Sequence, residues 1–334
     1  MFMKIAINGF GRIGRCVFRA YFENEKYKNL DICKVNSSLD MKTSLHLLQF
    51  DSIFGRFSKK IDILSENKCK IEGKTIEFIS EKDPGKINWS GIDIVMECTG
   101  VFTEKKKAEI HISSGAKKVM ISAPAKEKDV PTIVYGINNH ELTPDISVFS
   151  IGSCTTNCLA PIAKILDDEF KIVNGFMTTI HSYTGDQNIV DGSHKDLRRA
   201  RAAAVSMVPT STGAAKALSL VLPNLEGKLD GSAIRVPTPN VSVVDLVVNV
   251  EHETSVEAVN SVFKKYAQNS MSEILEVEER PLVSCDFVKS AYSSNFDALE
   301  TKVVGKKCIR VLAWYDNEWG FSNRMLDLAL LCRA

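Results

Sequence analysis

The feature that most constrains this chain is the run Asn8-Gly9-Phe10-Gly11-Arg12-Ile13-Gly14-Arg15. It closes a short apolar stretch, Lys4–Asn8, and opens an amphipathic segment, Arg12–Phe22. A strand that turns on glycines and runs straight into a helix commits a chain to a βαβ unit. Gly9 permits the tight turn, Gly11 lets the backbone approach a pyrophosphate, and Gly14 allows the helix to pack on the strand. The helix N-terminus then stabilises the phosphate charge. A second apolar stretch, Leu30–Asn36, ends where the partner strand of such a unit would end. The spacing predicts a dinucleotide site. The acidic residue expected for the adenosine ribose is missing, and the chain there reads Val35-Asn36-Ser37-Ser38. Ser37 is neutral and would not repel a 2′-phosphate, while Asn36 and Ser37 are equally able to hydrogen-bond a plain ribose.

The same texture continues. Asp93–Met96, a helix over Lys105–Ser114, Lys118–Ile121 and Thr132–Tyr135 alternate in the manner of a mostly parallel sheet covered on both faces. From Cys154 the pattern changes to a helix reaching about Phe170, then to longer strands with period-two alternation, Ser242–Val250 and Cys308–Tyr315. Between them Ser182–Arg201 is polar and has no apolar periodicity, and a loop of that length inside a compact domain is usually functional. Asn317–Cys332 is spaced for an amphipathic helix. A chain of 334 residues exceeds one comfortable core, so two domains are expected.

Charge excludes some partners. With 42 basic and 41 acidic residues the net charge is +1, which supports neither a nucleic acid nor an anionic membrane as the main partner. No apolar run approaches a membrane span, and no signal pattern precedes Lys4. Nine cysteines, an odd number, read as reduced thiols in the cytoplasm. Cys154 and Cys158 are spaced too far apart for a CxxC pair and no second close pair follows, so no metal site is expected.

One cysteine stands out. Ser153-Cys154-Thr155-Thr156-Asn157-Cys158 leads into the apolar-periodic Leu159–Leu166. A thiol at a helix N-terminus sits among unpaired amide donors that stabilise a thiolate and can also bind an oxyanion. Cys158, one turn on, is expected to be buried and inert. Among six histidines, His181 ends the strand Phe176–Ile180 and begins the polar loop. That placement suits a catalytic base, and by position alone it suits a satisfied structural histidine equally well. His194, beside Lys195, reads as a surface or interface residue.

These segments together with Asp191–Arg201 (DGSHKDLRRAR), Pro209–Lys216 (PTSTGAAK), Arg235–Asn240 (RVPTPN) and Trp314–Gly320 (WYDNEWG) strongly resemble the phosphorylating glyceraldehyde-3-phosphate dehydrogenase family, over the whole chain. The resemblance implies an α/β chain with a Rossmann-type NAD(P)-binding domain over residues 1–153, joined by the C-terminal helix 318–334. It also implies an α+β catalytic domain, 154–317, with a largely antiparallel sheet. A homotetramer is implied, with Ser182–Arg201 at subunit contacts. The expected reaction converts glyceraldehyde 3-phosphate and inorganic phosphate to 1,3-bisphosphoglycerate with NAD, or NADP, through a Cys154 thioester, in glycolysis or its reverse.

By the same resemblance His181 is the base. Thr184 and Arg235 hold the substrate phosphate, Ser153, Thr155, Thr212 and Gly213 hold the attacking phosphate, and Arg199 lies between the two. Asn317 meets the nicotinamide carboxamide, Arg12, Ile13, Thr99 and Ser122 are cofactor contacts, and Lys82 stands near the adenine. On residue grounds alone Arg199 could be a salt-bridged loop residue, and Thr212 could cap a helix over Gly213–Val221. The chain departs from the family at Ile151-Gly152, Ser37, Lys82 and Gly192-Ser193. The related competitor is an erythrose-4-phosphate dehydrogenase, and the competitor from another class is a binding protein for RNA or a surface ligand.

Overall fold

The computed structural model describes residues 2–127 and 129–332. The chain divides into two compact units, Met1–Ser153 with Ser322–Ala334, and Cys154–Phe321.

The first unit contains β1 (Met3–Asn8), α1 (Arg12–Glu23), β2 (Leu30–Asn36), α2 (Met41–Gln49), β3 (Phe50–Asp51) and β4 (Gly55–Arg56). There follow β5 (Ile61–Ser65), β6 (Lys68–Ile71), β7 (Lys74–Ile79), β8 (Ile94–Glu97), α3 (Lys105–Ser113), β9 (Lys118–Ile121) and β10 (Val148–Ser150). Its sheet runs β10-β9-β8-β1-β2-β7-β6-β5. It is parallel from β10 to β7 and antiparallel beyond. Ile5, Ala6 and Ile7 of β1 are wholly buried, as a central strand covered on both faces requires. The glycine turn is sterically dictated. Gly9 has φ +97°, and a Cβ on Gly14 would lie 2.2 Å from the Gly9 carbonyl oxygen.

One expected strand is absent. Thr132–Tyr135 contributes a single bridge, Thr132 to Ser150, and β10 forms the sheet edge instead. The Asn138 side chain accepts from Val134 N–H at 2.8 Å and donates to the Thr132 carbonyl at 2.9 Å. It thereby uses ladder groups of that segment to hold a turn.

The second unit contains α4 (Cys154–Phe170), β11 (Ile172–Ser182), β12 (Val208–Ser211), α5 (Ala214–Leu218), β13 (Leu229–Val236), β14 (Ser242–Val250) and α6 (Val256–Gln268). It is completed by β15 (Leu275–Glu278), β16 (Ser294–Asp297), β17 (Lys302–Val304), β18 (Cys308–Tyr315) and the start of α7 (Trp319–Leu331). The sheet order is β12-β13-β11-β14-β18-β16-β15, with β17 beside β18. Only β11–β13 and β15–β16 pair in parallel, so this sheet is largely antiparallel. Helix α4 packs on β18, β16 and β14 through a buried face that includes Cys158, Leu159, Ile162 and Leu166. The helix after Thr212 is shorter than expected, only Ala214–Leu218.

Candidate active site and nucleotide cleft

Cys154 is the first residue of α4 and His181 the second-last of β11. Cys154 Sγ lies 3.5 Å from His181 Nε2. Residue 235 of β13 stands in register opposite residue 181, which brings the Arg235 guanidinium onto the far side of the ring. Arg235 Nη1 donates to the Ser182 carbonyl at 3.0 Å and lies 2.8 Å from His181 Nδ1, itself 2.7 Å from the same carbonyl. Sulfur, imidazole and guanidinium therefore form one contiguous line.

Burial pushes the Cys154 thiol up, opposed by the Arg235 charge and by hydrogen bonds from the Thr155 hydroxyl and N–H. The amide donors expected at the helix N-terminus do stabilise the thiolate, and burial outweighs them. Burial and the Arg235 charge push the His181 imidazolium down to about 3, with the Ser182 carbonyl opposing. Each charge alone is disfavoured. Moving the proton from Sγ to Nε2 instead creates two adjacent opposite charges, which offset much of each other's desolvation.

Four residues that sequence reasoning did not single out, Tyr315, Thr179, Ser182 and Ser242, hold this arrangement. The Tyr315 hydroxyl lies 2.8 Å from Thr155 Oγ1 and 2.9 Å from Thr179 Oγ1, linking α4, β11 and β18. Thr155 is thus buried, with its hydroxyl facing Tyr315 and Cys154 rather than open solvent. Ser182 and Ser242 both donate to Asn317 Oδ1, at 2.9 and 3.0 Å. That fixes the amide orientation, with Oδ1 held by the two hydroxyls and Nδ2 on the opposite side. Alternation along β11 and β14 breaks at both serines, where neighbouring residues are buried too, and nothing in the spacing marked Tyr315.

The loop residues are less tightly joined to the sulfur. Arg199 donates to Asp186 at 2.6 Å, to Thr210 Oγ1 at 2.9 Å and to the Ser211 carbonyl at 3.4 Å, so it is both salt-bridged and placed just before Thr212 and Gly213. Thr212 Oγ1 accepts from Ala214 N–H at 3.2 Å, and Gly213 is exposed. Thr184 is half-buried, its carbonyl accepting from Gln187 N–H. Cys158 is fully buried, its thiol pushed far up by burial and its S–H directed at the Ala313 carbonyl, as an inert cysteine should be.

In the first unit a cleft of about 440 Å³ is lined by Gly9, Gly11, Ser37, Lys82 and Thr99 and also by Arg15, which the sequence reading missed. A Cβ on Gly11 would meet nothing within 4 Å, so the turn presents bare backbone there. Four expected contacts lie outside the lining. Arg12 is drawn away by an ion pair with Asp51 and by the Phe54 ring. Gly14 packs under the turn, Ser122 is tied by its N–H to the Glu97 carbonyl, and Ile13 is half-buried on α1. Gly152, at the departure Ile151-Gly152, has φ +69° and donates to Ser150 Oγ at 2.9 Å, a conformation suited to glycine.

Residues 3–105 match the NAD binding domain of glyceraldehyde 3-phosphate dehydrogenase, and residues 153–317 match the C-terminal domain. The chain is 52% identical to glyceraldehyde-3-phosphate dehydrogenase of Geobacillus stearothermophilus over 332 residues, 98% of each chain. It is also 52% identical to the chloroplastic A protein of Zea mays, covering 99% of this chain and 82% of that one. With the chloroplastic B protein of Pisum sativum it shares 54% over 98% of this chain and 74% of that one. The chain belongs to the glyceraldehyde-3-phosphate dehydrogenase family. As a member of this dehydrogenase family it uses NAD, and the bare-backbone cradle at Gly9–Gly11 fits a dinucleotide pyrophosphate. The C-terminal domain match includes Cys154, His181, Arg235 and Asn317.

Proposed function

We propose that the chain oxidises glyceraldehyde 3-phosphate to 1,3-bisphosphoglycerate with uptake of inorganic phosphate, through a thioester on Cys154. The observation that carries this reading is the contact of Cys154 Sγ with His181 Nε2 at the start of α4. His181 Nε2 takes the thiol proton as sulfur adds to the aldehyde carbon, then returns it to the new alkoxide to give a hemithioacetal. The N–H groups at the start of α4 stabilise that oxygen while it is negative. His181 next accepts the hemithioacetal hydroxyl proton as the carbon gives up hydride, leaving a thioester. Bound nicotinamide supplies the hydride acceptor. A phosphate oxygen then attacks the thioester, the C–S bond breaks, and the thiolate leaves with the acyl phosphate released. A thioester retains the oxidation energy that hydrolysis to an acid would lose.

Arg235, already against the imidazole, and Thr184 hold the substrate phosphate. Ser153, Thr155, Thr212 and Gly213 supply donors for the attacking phosphate, with Thr155 acting through its N–H because its hydroxyl faces Tyr315. Arg199 serves both anions, its fork held ready by Asp186. Gly9, Gly11 and Gly14 shape the cofactor turn; Arg12, Ile13 and Ser122 contribute backbone, Thr99, Ser37 and Lys82 line the cleft, and Asn317 donates to the carboxamide. The relatives named above are glyceraldehyde-3-phosphate dehydrogenases, which favours the triose over erythrose 4-phosphate. NAD works with measurable NADP use, because Ser37 lacks the charge that would repel a 2′-phosphate and Lys82 borders the same cleft.

The cofactor domain, residues 1–153 with 318–334, and the catalytic domain, 154–317, carry the cofactor and the chemistry respectively, the compact units dividing four residues later, after Phe321. A cytoplasmic homotetramer is the working form. Assembly is supported by exposed Ile189, Val190, Leu197, Val205 and Met207 and by exposed Phe176 and Val247 on the sheet, apolar side chains that further copies would cover. No helix of the described residues is long and apolar enough to cross a membrane.

Cys154→Ser should abolish phosphorylating activity while NAD binding persists, since an alcohol is a far poorer nucleophile at neutral pH. Cys158→Ser should retain most activity. Steady-state rates and mass-spectrometric mapping of an alkylating label check both; activity in Cys154→Ser, or first labelling at another cysteine, contradicts the assignment.

A further inference from the structure

A chain of buried side-chain hydrogen bonds runs beneath the nucleotide cleft. Its members lie between the core indole of Trp89 and the end of β2. Trp89 Nε1–H donates to His111 Nδ1 at 3.1 Å, and His111 Nε2 lies 3.0 Å from Glu97 Oε2. Asn8 Nδ2 donates to the same Glu97 oxygen at 2.6 Å, and Asn36 Nδ2 donates to Asn8 Oδ1 at 2.7 Å. Glu81 N–H donates to Asn36 Oδ1 at 3.0 Å. Glu97 Oε1 accepts from Thr99 N–H at 2.8 Å and also from the Thr99 hydroxyl.

The two ends of this chain fix every proton in it. An indole N–H can only donate, so His111 Nδ1 is an acceptor and the ring's one hydrogen sits on Nε2, facing Glu97. The Glu81 amide can only donate, so Asn36 must present oxygen to it and NH₂ to Asn8. Asn8 in turn presents oxygen to Asn36 and NH₂ to Glu97. The Thr99 hydroxyl accepts from Val101 N–H at 3.1 Å and so directs its own hydrogen to Glu97. Glu97 therefore meets four donors, two at each oxygen, and Glu97 and His111 are both fully buried.

Those donors come from the end of β1, from the turn after β8 and from α3, while Glu97 itself ends β8 and Asn36 ties in the end of β2. Asn8, Gly9, Asn36, Ser37 and Thr99 are walls of the cleft. A Cβ on Gly9 would lie 2.8 Å from Thr99 N, so the glycine turn rests directly on the peptide that Glu97 holds. A buried carboxylate is costly unless all its donors are in place, which makes this arrangement all-or-none.

We propose that Glu97 is the positioning residue of the nucleotide cleft, locking the Gly9 turn, Thr99 and Asn36–Ser37 into one cofactor-competent arrangement. It touches no reacting atom and acts through Asn8 and Thr99. The proposal rests on the reading of this cleft as the NAD site, so wild-type NAD binding is the first arm of its test. Failure of wild type to bind NAD would refute that reading, and the proposal with it.

Glu97→Gln puts an NH₂ where two donors point and leaves one pair facing donor to donor. The folded variant should bind NAD roughly ten- to a hundredfold more weakly by calorimetry, with KM for NAD rising in parallel. Turnover at saturating NAD and the alkylation rate of Cys154 should stay within about threefold of wild type. His111→Leu, which deletes one donor, should move NAD affinity in the same direction, and His111→Gln, which can restore an N–H, should move it less. That pair decides the matter if Glu97→Gln does not fold. A folded Glu97→Gln protein with unchanged NAD affinity would overturn the proposal. So would a lowered melting temperature in His111→Leu with unchanged affinity, since that is the mark of a merely structural role.

Discussion

At the scale of single residues, the decisive fact is that neither Cys154 nor His181 favours its charged form alone, while the pair can exchange a proton without creating net charge. In His181→Asn the thiolate loses its neighbouring acceptor and must form against burial, which already holds the thiol above its ordinary range. Thiolate is present only above that raised pKa and is lost as pH falls through it. The variant should therefore alkylate slowly at neutral pH and recover only at alkaline pH, with turnover down by roughly a hundred- to ten-thousandfold. A pH profile of iodoacetamide labelling checks this, and a neutral-pH rate equal to wild type would show that His181 does not activate the thiol.

Ser37 is the other residue with a sharp consequence. It is buried, and its oxygen accepts from Leu39 N–H and Ser44 Oγ, each at 3.1 Å. An aspartate could accept from the same two donors while presenting negative charge to the ribose. Ser37→Asp should lower catalytic efficiency with NADP and shift the ratio toward NAD by about tenfold or more, on the scale of about 1.4 kcal/mol of lost attraction or added repulsion. The two efficiencies, compared in wild type and variant, give the answer. An unchanged ratio, or a wild type inert with NADP, would contradict the account of cofactor choice.

At the scale of elements, the legible parts were those where one local rule dominates. The glycine turn was readable because strand, glycines and helix occur in immediate succession, and Gly9 and Gly14 meet the steric demands that motif implies. The start of α4 was readable because a polar run precedes an apolar-periodic one. What the residues alone could not give was partnership across the chain. Tyr315 becomes a joint between α4 and β11 only because β14 sets β18 and β11 on its two sides. Arg235 reaches His181 only through the parallel register of β11 and β13. Thr132–Tyr135 misled because its β-branched content is that of a strand, while one asparagine, Asn138, draws its ladder groups into a turn. The hairpin strands β5 and β6 went unread, since β5 is an edge strand with mostly exposed side chains.

At the scale of the whole molecule, one unit carries the dinucleotide cradle and the other the thiol, imidazole and guanidinium. Both must act in one catalytic cycle, with phosphate as the second substrate. That requirement is most directly read in a rapid-mixing experiment with NAD and glyceraldehyde 3-phosphate in the absence of phosphate. A burst of NADH equal to the concentration of active chains is expected, with an acyl adduct on Cys154 by mass spectrometry and steady turnover once phosphate is added. Continued turnover without phosphate, or a burst with no adduct on Cys154, would contradict this cycle.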